Sequence, residues 1–310
     1  MRVYVPEGGL LNTPENLEAL SSEGALRLAR TQGRVLESRV ILCDSAHNLH
    51  VRLGELRGVI PRREGALGID TGATRDVALL TRVNKPVQFF AEKFCGDTVY
   101  LSRRAVQKLC CGEYLCRLRP GDVISAAVTH LEPFGAFCDV GAGVSALLPV
   151  SCICVSRIEH PSARLCTGQK ILAAVKGIDG CGRITLTMKE LLGTWEQNAA
   201  HFCPGDTVPG IIRTVEPYGV FIELAPNLSG LAEYVPGVAA GMQASVFIKS
   251  VNPQKMKIKL AIVDFGYRAP SCELSARAAQ IKYYVTGGRI DRWVYSPAGC
   301  SKLVESVFEC

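Results

Sequence analysis

Apolar and polar residues alternate in short runs along much of the chain, and a period of two reads as half-buried β-strand. In one stretch the apolar positions are Val123, Ala127, Val128 and Leu131, followed by Phe137, Val140, Leu147 and Leu148. Glycine-rich breaks at Gly141–Gly143 and Gly180–Gly182 read as hairpin turns between such strands. Helical signals are confined to the flanks and one linker. Residues 13–31 open with Thr13 as a cap, Pro14 at the first helical position and Glu15 in the first turn. Leu17, Leu20 and Leu26 form an apolar stripe there, interrupted at Gly24, that predicts docking on the segment that follows. KELLGTWEQNAAHF (189–202) is rich in helix formers and predicts a helical linker. Residues 281–296 predict a β-hairpin turning at Gly287-Gly288, with Lys282 opposite Trp293 and Tyr283 opposite Arg292. Pro297–Phe308 then predicts a short closing helix, and this tail is expected to pack rather than bind.

The strand pattern repeats. Residues 121–137 read GDVISAAVTHLEPFGAF and residues 205–221 read GDTVPGIIRTVEPYGVF, at a constant offset of 84. Further on, GQKILAAVKGIDGCGRITLTMKE (168–190) matches GMQASVFIKSVNPQKMKIKLAIVD (241–264), with one residue inserted near Met256. A weaker third copy precedes them over 35–64 and 85–107, without the aromatic-Gly-x-Phe segment. About five strands in ~70 residues suit a small closed barrel in which every edge is paired. The expected organisation is a helical segment over 1–33, a degenerate barrel over 34–119, barrels over 120–190 and 204–264 joined by a linker at 191–203, and a hairpin with a helix over 265–310.

The aromatic positions carry the candidate chemistry. Phe134 and Phe137 are three residues apart, which in a regular strand would point them to opposite faces. Gly135, like Gly219 in the next copy, is expected to form a bulge that brings both rings to one face. Two exposed rings on a barrel wall offer unpaired bases a stacking surface worth roughly 1–3 kcal/mol per base. The competing reading for any strand aromatic is core packing, and the recurrence beside glycine in two copies weighs against it. Arg183 and Lys257 fall at the last hairpin of each copy, within reach of phosphate or a base. Lys176 and Lys249 also correspond, either as phosphate contacts or as a solvated strand edge.

Composition narrows the class of protein. A hydrophobic fraction of 48% with 21% charged residues belongs to a globular chain, not a disordered one. The net charge of +6 is concentrated at the front, where residues 1–119 hold 18 basic against 13 acidic side chains, including Arg62-Arg63 and Arg103-Arg104. That balance is compatible with a nucleic-acid partner but far below a polybasic arm. The N-terminal sequence lacks the layout of a signal peptide, and no apolar run approaches the ~18–20 residues that span a bilayer, so a cytoplasmic protein without a membrane partner is expected. The 14 cysteines include no CxxC pair and read as free thiols. His47 and His50 have no third ligand nearby, so neither a metal nor a cofactor is expected.

The Phe134-Gly135-x-Phe137 and Tyr218-Gly219-x-Phe221 segments, with their hairpin residues, resemble the RNA-binding domain first recognised as a repeat in small-subunit ribosomal protein S1. The resemblance covers roughly 34–264, strong in the second and third units and faint in the first, and as a whole is to a short bacterial form. It implies mostly β structure in tandem OB-fold barrels. It also implies an RNA face of two aromatics, a His twelve residues on, and an Asp and Arg at the final hairpin. The second unit keeps Phe134, Phe137, Asp179 and Arg183, with Pro149 at the His position. The third holds Tyr218, Phe221, Asn252 and Lys257, with Glu233 at that position. The implied partners are single-stranded RNA, messenger RNA in particular, and the small ribosomal subunit. A non-ribosomal RNA chaperone and a protein-interaction scaffold are the alternatives. Outside the barrels only about the first 33 and last 46 residues remain, without a catalytic constellation, so no enzyme is expected.

Overall fold

A computed structural model describes residues 4–266 and 281–309. Two short helices, α1 (Pro14–Ala19) and α2 (Glu23–Thr31), lead into β1 (Leu36–Cys43), β2 (Leu49–Leu53) and β3 (Leu56–Ile60). The helical turn α3 (Val77–Leu80) precedes β4 (Pro86–Cys95), β5 (Thr98–Ser102) and α4 (Arg103–Glu113). The second set of strands is β6 (Val123–Glu132), β7 (Gly135–Asp139), β8 (Ser145–Pro149), β9 (Lys170–Ile178) and β10 (Ile184–Thr187). After α5 (Trp195–Ala199) come β11 (Thr207–Glu216), β12 (Gly219–Ala225), β13 (Leu228–Ala232), β14 (Gln243–Asn252) and β15 (Lys257–Phe265), then β16 (Arg292–Val294) and β17 (Glu305–Val307). The first fifteen strands close into three five-stranded barrels. In each, antiparallel neighbours are completed by a parallel contact of the third and fifth strands, such as Leu231 with Lys259, so no sheet edge is left open.

Alternation decides which side chains fill each barrel. In the third, Ile212, Val220, Ile222, Val246, Ile248, Ile258 and Leu260 point inward and are almost wholly buried. Truncating one of these to Ala would cost about 2–5 kcal/mol through lost contacts and a residual cavity. The first copy, for all its weak signal, is a complete barrel around Val40, Leu49, Val51, Ile60, Phe89 and Val99. Thr13 and Pro14 open α1 as predicted, with the Thr13 hydroxyl accepting from the Asn16 N–H. The break falls at Leu20–Ser22, before Gly24, because the Ser22 hydroxyl takes the Ala25 N–H and starts a new helix. Leu26 and Ala29 pack into the first barrel's core, whereas Leu17 points to solvent. Helix α4, capped by Ser102, lies beyond the sequence expectations.

The chain divides into two compact units, one comprising residues up to 118 with 125–127 and 139–145, the other the remainder. In the first unit Arg103 is buried, donating to both Glu7 carboxylate oxygens at 2.6 and 3.0 Å and to the Gly65 carbonyl at 3.0 Å. Arg104 pairs with Glu64 and Arg62 with Asp76, each at 2.6 Å. Three of the four arginines that made the front of the chain look basic are therefore internally neutralised.

Within the second unit the two repeats are joined by buried polar contacts. Asn227, wholly inaccessible, donates to the Lys189 and Gly193 carbonyls at 2.8 and 2.9 Å and accepts from the Val155 N–H at 2.9 Å. The linker helix α5 forms where expected, with a capping box of Thr194 and Gln197. The tail differs from expectation. Its hairpin pairs Arg292 with Val307 and Val294 with Glu305, and Gly287-Gly288 is not its turn. No closing helix follows Pro297 among the described residues. Pro297 and Gly299 instead form the connection, Ser296 accepts the Val304 N–H, and Glu305–Val307 returns as a strand. Tyr283 and Tyr284 bond the Leu172 N–H and the Leu191 carbonyl, tying the tail to the second barrel.

Candidate nucleic-acid interface

The two aromatic pairs have one geometry. Phe134 and Phe137 stand with ring centroids 6.0 Å apart at 88°, and Tyr218 and Phe221 at 6.2 Å and 85°. Phe134 is 56% exposed and Tyr218 68%, while their partners are half-buried, so both pairs lie outside the barrel core. In the third barrel the expected bulge at the glycine is absent. Glu216 faces Gly219 and Val215 faces Val220 in regular register, and the irregularity in β11 falls between Ile212 and Thr214. Tyr218 escapes strand alternation because it is the last turn residue before β12, leaving only Phe221 on the strand. The glycines serve close approach. A Cβ at Gly135 would sit 2.5 Å from the Leu148 carbonyl oxygen, and one at Gly219, whose φ is +150°, 2.6 Å from that of Ala232. Only glycine lets the strand after the turn press against the third strand, which sets the rings.

At the closing hairpins the predicted residues act in pairs. Asp179 accepts the Cys181 and Arg183 N–H groups at 2.9 Å each, and its other oxygen takes Arg183 Nε at 2.7 Å. These bonds, the Arg183 N–H first, hold the Asp179 carboxyl below the usual carboxylate range. Asp179 is thus a turn cap that aims Arg183, whose side chain is 81% exposed. Asn252 takes the same place in the third barrel, accepting the Lys255 N–H at 3.0 Å with Lys257 opposite it. The corresponding lysines diverge: Lys176 donates to the Cys152 thiol at 3.4 Å, whereas Lys249 pairs with Glu233 at 3.1 Å. The carboxylate that replaces His in the third unit is therefore matched by a cation.

Strand register places a further residue on this face. Phe221 lies beside Leu231, and Leu231 beside Lys259, on the outer face. In the second barrel Thr185 occupies that place beside Leu147. Only strand pairing brings Lys259 to within two strands of Phe221, since 38 residues separate them in the sequence.

Strand register aligns the first barrel with the third in the same way. Val51 pairs with inward-facing Gly58, as Ile222 pairs with Gly230, which makes His50 the counterpart of Phe221 and His47 that of Tyr218. The segment His47-Asn48-Leu49-His50 replaces Tyr218-Gly219-Val220-Phe221 ring for ring. Asp44 accepts from His50 Nε2 and from the Asn48 amide at 3.0 Å, contacts that hold its carboxyl well below the usual range. No group of three or more His, Cys, Asp or Glu side chains suited to a metal occurs among the described residues. No described helix is long and apolar enough to cross a membrane.

Three barrels in tandem, two carrying both an outward ring pair and a cation-bearing closing hairpin, define a protein of tandem OB-fold barrels. Residues 117–189, which include the second barrel, match the S1 RNA binding domain family. The chain is similar to the small ribosomal subunit protein bS1 homolog of Bacillus cereus, 33% identical over 184 residues that cover 54% of this chain and 48% of that protein. It is 35% identical to bS1 of Leuconostoc lactis over 137 residues, covering 42% of this chain and 32% of that one. The match thus spans about half the length of these relatives or less. A solved multidomain protein with nucleic acid binding domains from Streptococcus pneumoniae is 14% identical, covering 76% of this chain and 74% of its own, at a TM-score of 0.26.

Proposed function

We propose that this protein binds single-stranded RNA with broad sequence tolerance, and that it serves translation in the cytoplasm by holding messenger RNA near the small ribosomal subunit. The observation that carries this reading is the recurrence of one exposed, edge-to-face ring pair at the same turn of two barrels. A ring held edge-on against its neighbour keeps a free face for a base, and any base has a π-face to offer. The outward cations Arg183, Lys257 and Lys259 supply the phosphate attraction, and Lys176 and Lys249 stand on the fourth strand of each barrel, still exposed. Duplex RNA, with its bases already stacked, binds weakly by this mechanism. The ribosome setting is supported by similarity to proteins named for the small ribosomal subunit, and messenger RNA as the strand held there is what the S1 resemblance implies.

The test is fluorescence anisotropy with an unstructured labelled RNA of about a dozen nucleotides, a length on the order of one or two barrel sites. Changing Phe134, Phe137, Tyr218 and Phe221 together to Ala is expected to abolish tight binding while far-UV circular dichroism stays unchanged. Wild-type affinity in that folded variant would overturn the reading.

A further inference from the structure

In the first unit two guanidiniums share one carboxylate. Arg103 on α4 is buried and spends three N–H groups on the Glu7 carboxylate and the Gly65 carbonyl. Arg82, just after α3, reaches the same Glu7 Oε2 through a single bond of 3.3 Å. No other carboxylate among the described residues lies within ion-pair distance of either. Asp139 is near, but it accepts the N–H groups of Glu7, Gly141 and Gly143, and burial pushes its carboxyl up to about 7. Glu37 is turned to the N–H groups of Gly8 and Leu10, and burial raises its pKa as well. Burial, and then the Arg103 charge, hold the Arg82 guanidinium below the ordinary arginine value. Its charged form lacks a full counterion.

Both arginines line an open cleft of about 380 Å³, together with Ala78, Val144 and Ser145, and all of its residues belong to the first unit. None of the lining residues is acidic. Gly143, at φ +76°, is part of the wall, and a Cβ there would collide with Arg103 Nη2 and Glu7, so bare backbone gives the ion pair its room. Glu7 already fills the planar fork of Arg103. What remain are single hydrogens on two guanidiniums and the exposed Ser145 hydroxyl. Donors spread in this way suit the tetrahedral oxygens of a phosphate better than the two coplanar oxygens of a carboxylate. Ala78 and Val144 add an apolar wall for a short organic group.

We propose that this cleft binds a small phosphate ester, a free metabolite of nucleoside-monophosphate size or less. Arg82 and Arg103 take the phosphate oxygens, and Ala78 and Val144 pack the organic part. None of these residues belongs to a ring pair or a closing hairpin, so the inference stands apart from RNA binding. An RNA phosphate offers the same oxygens. The modest volume of the cleft and the burial of Arg103 favour a small molecule that enters whole.

The experiment is calorimetric titration of the full chain with inorganic phosphate, with a nucleoside 5′-monophosphate and with citrate, at matched ionic strength. Both phosphate probes should bind saturably at one site, and citrate more weakly. Inorganic phosphate has no base to stack, so the ring pairs do not account for its binding. Arg82→Gln should weaken both phosphate probes by about tenfold or more, and Arg82→Lys by less. Ala78→Phe, which fills the cleft and changes no charge, should weaken the nucleoside monophosphate more than inorganic phosphate. If Arg82→Gln fails to fold, Ala78→Phe decides alone, and an unchanged nucleotide affinity overturns the proposal. No saturable binding of either phosphate probe, or binding that Arg82→Gln leaves intact, also overturns it, as does citrate binding more tightly than both. Anisotropy with the dozen-nucleotide RNA should give Arg82→Gln the wild-type affinity. Loss of RNA affinity there, without phosphate binding in the wild type, would assign the arginines to RNA instead.

Discussion

The second and third barrels hold the same ring pair in different electrostatic settings. Around Phe134 and Phe137 the cations are restrained, with Arg183 clasped by Asp179 and Lys176 bonded to the Cys152 thiol. Around Tyr218 and Phe221, Lys257 and Lys259 are exposed and have no partner among the described residues, while Lys249 is paired with Glu233. The third barrel also leaves Leu231, Tyr234 and Phe247 partly open to solvent. Ring geometry is a property of the turn and its glycine, and so is the same in both. Charge is a property of single outward positions, which can change without disturbing the core. One scaffold can therefore present two faces of equal shape and unequal attraction for phosphate.

Removing one ring pair at a time tests this difference most strongly. Phe134→Ala/Phe137→Ala and Tyr218→Ala/Phe221→Ala should each cost about 2 kcal/mol or more, roughly thirtyfold in affinity, with the third-barrel pair costing more. Anisotropy on a dozen-nucleotide RNA measures both. Equal losses would mean that the charges around the rings do not matter. Gly135→Ala and Gly219→Ala probe what the barrels share. Each new methyl meets a carbonyl oxygen, so each should destabilise its barrel by about 1–3 kcal/mol, read as a lowered midpoint in urea. If either substitution is neutral, close approach is not what sets the rings.

How much of this was legible beforehand follows from the range over which each signal acts. The repeated Gly-Asp-x-Val and aromatic-Gly-x-Phe segments are local, and the second and third barrels were readable from them. The rings lie outside the barrel core as expected, but in the third barrel for another cause, because a turn residue and a bulged strand residue look alike in sequence. Lys259 was missed because its place two strands from Phe221 exists only through strand pairing. The first barrel's face was missed because His47-Asn48-Leu49-His50 keeps the spacing of the ring segment but changes both ring types and the glycine. Arg103 looked like surface charge, yet it is buried on Glu7, 96 residues away. The tail was misread because Gly287-Gly288 is a strong local turn signal, while the real pairing depends on a strand beyond Pro297.

Salt dependence sharpens the contrast at a finer scale. Lys257→Gln/Lys259→Gln should lower the slope of log affinity against log salt by about 1.4, whereas Arg183→Gln should lower it by about 0.7 at most. Per cation the second effect should be the smaller, below about 0.7, because Asp179 already neutralises part of the Arg183 charge. Equal effects per cation would show that the Asp179 clasp opens when RNA arrives.

The smallest expected effect separates the two hairpin caps by pH. Asp179 has a lowered pKa, so its hold on the turn is complete above the ordinary carboxylate range near 4 and is lost as pH falls through the lowered value. Asn252 makes the equivalent cap in the third barrel and has no proton to gain. Amide spectra recorded from pH 5 down to pH 2 should therefore show the Cys181 and Arg183 signals shifting while that of Lys255 stays in place. Asp179→Asn should remove the pH dependence and leave Arg183 free of its partner. If both hairpins loosen in the same window, the acid transition belongs to the barrels as a whole, and the difference between their caps has no functional weight.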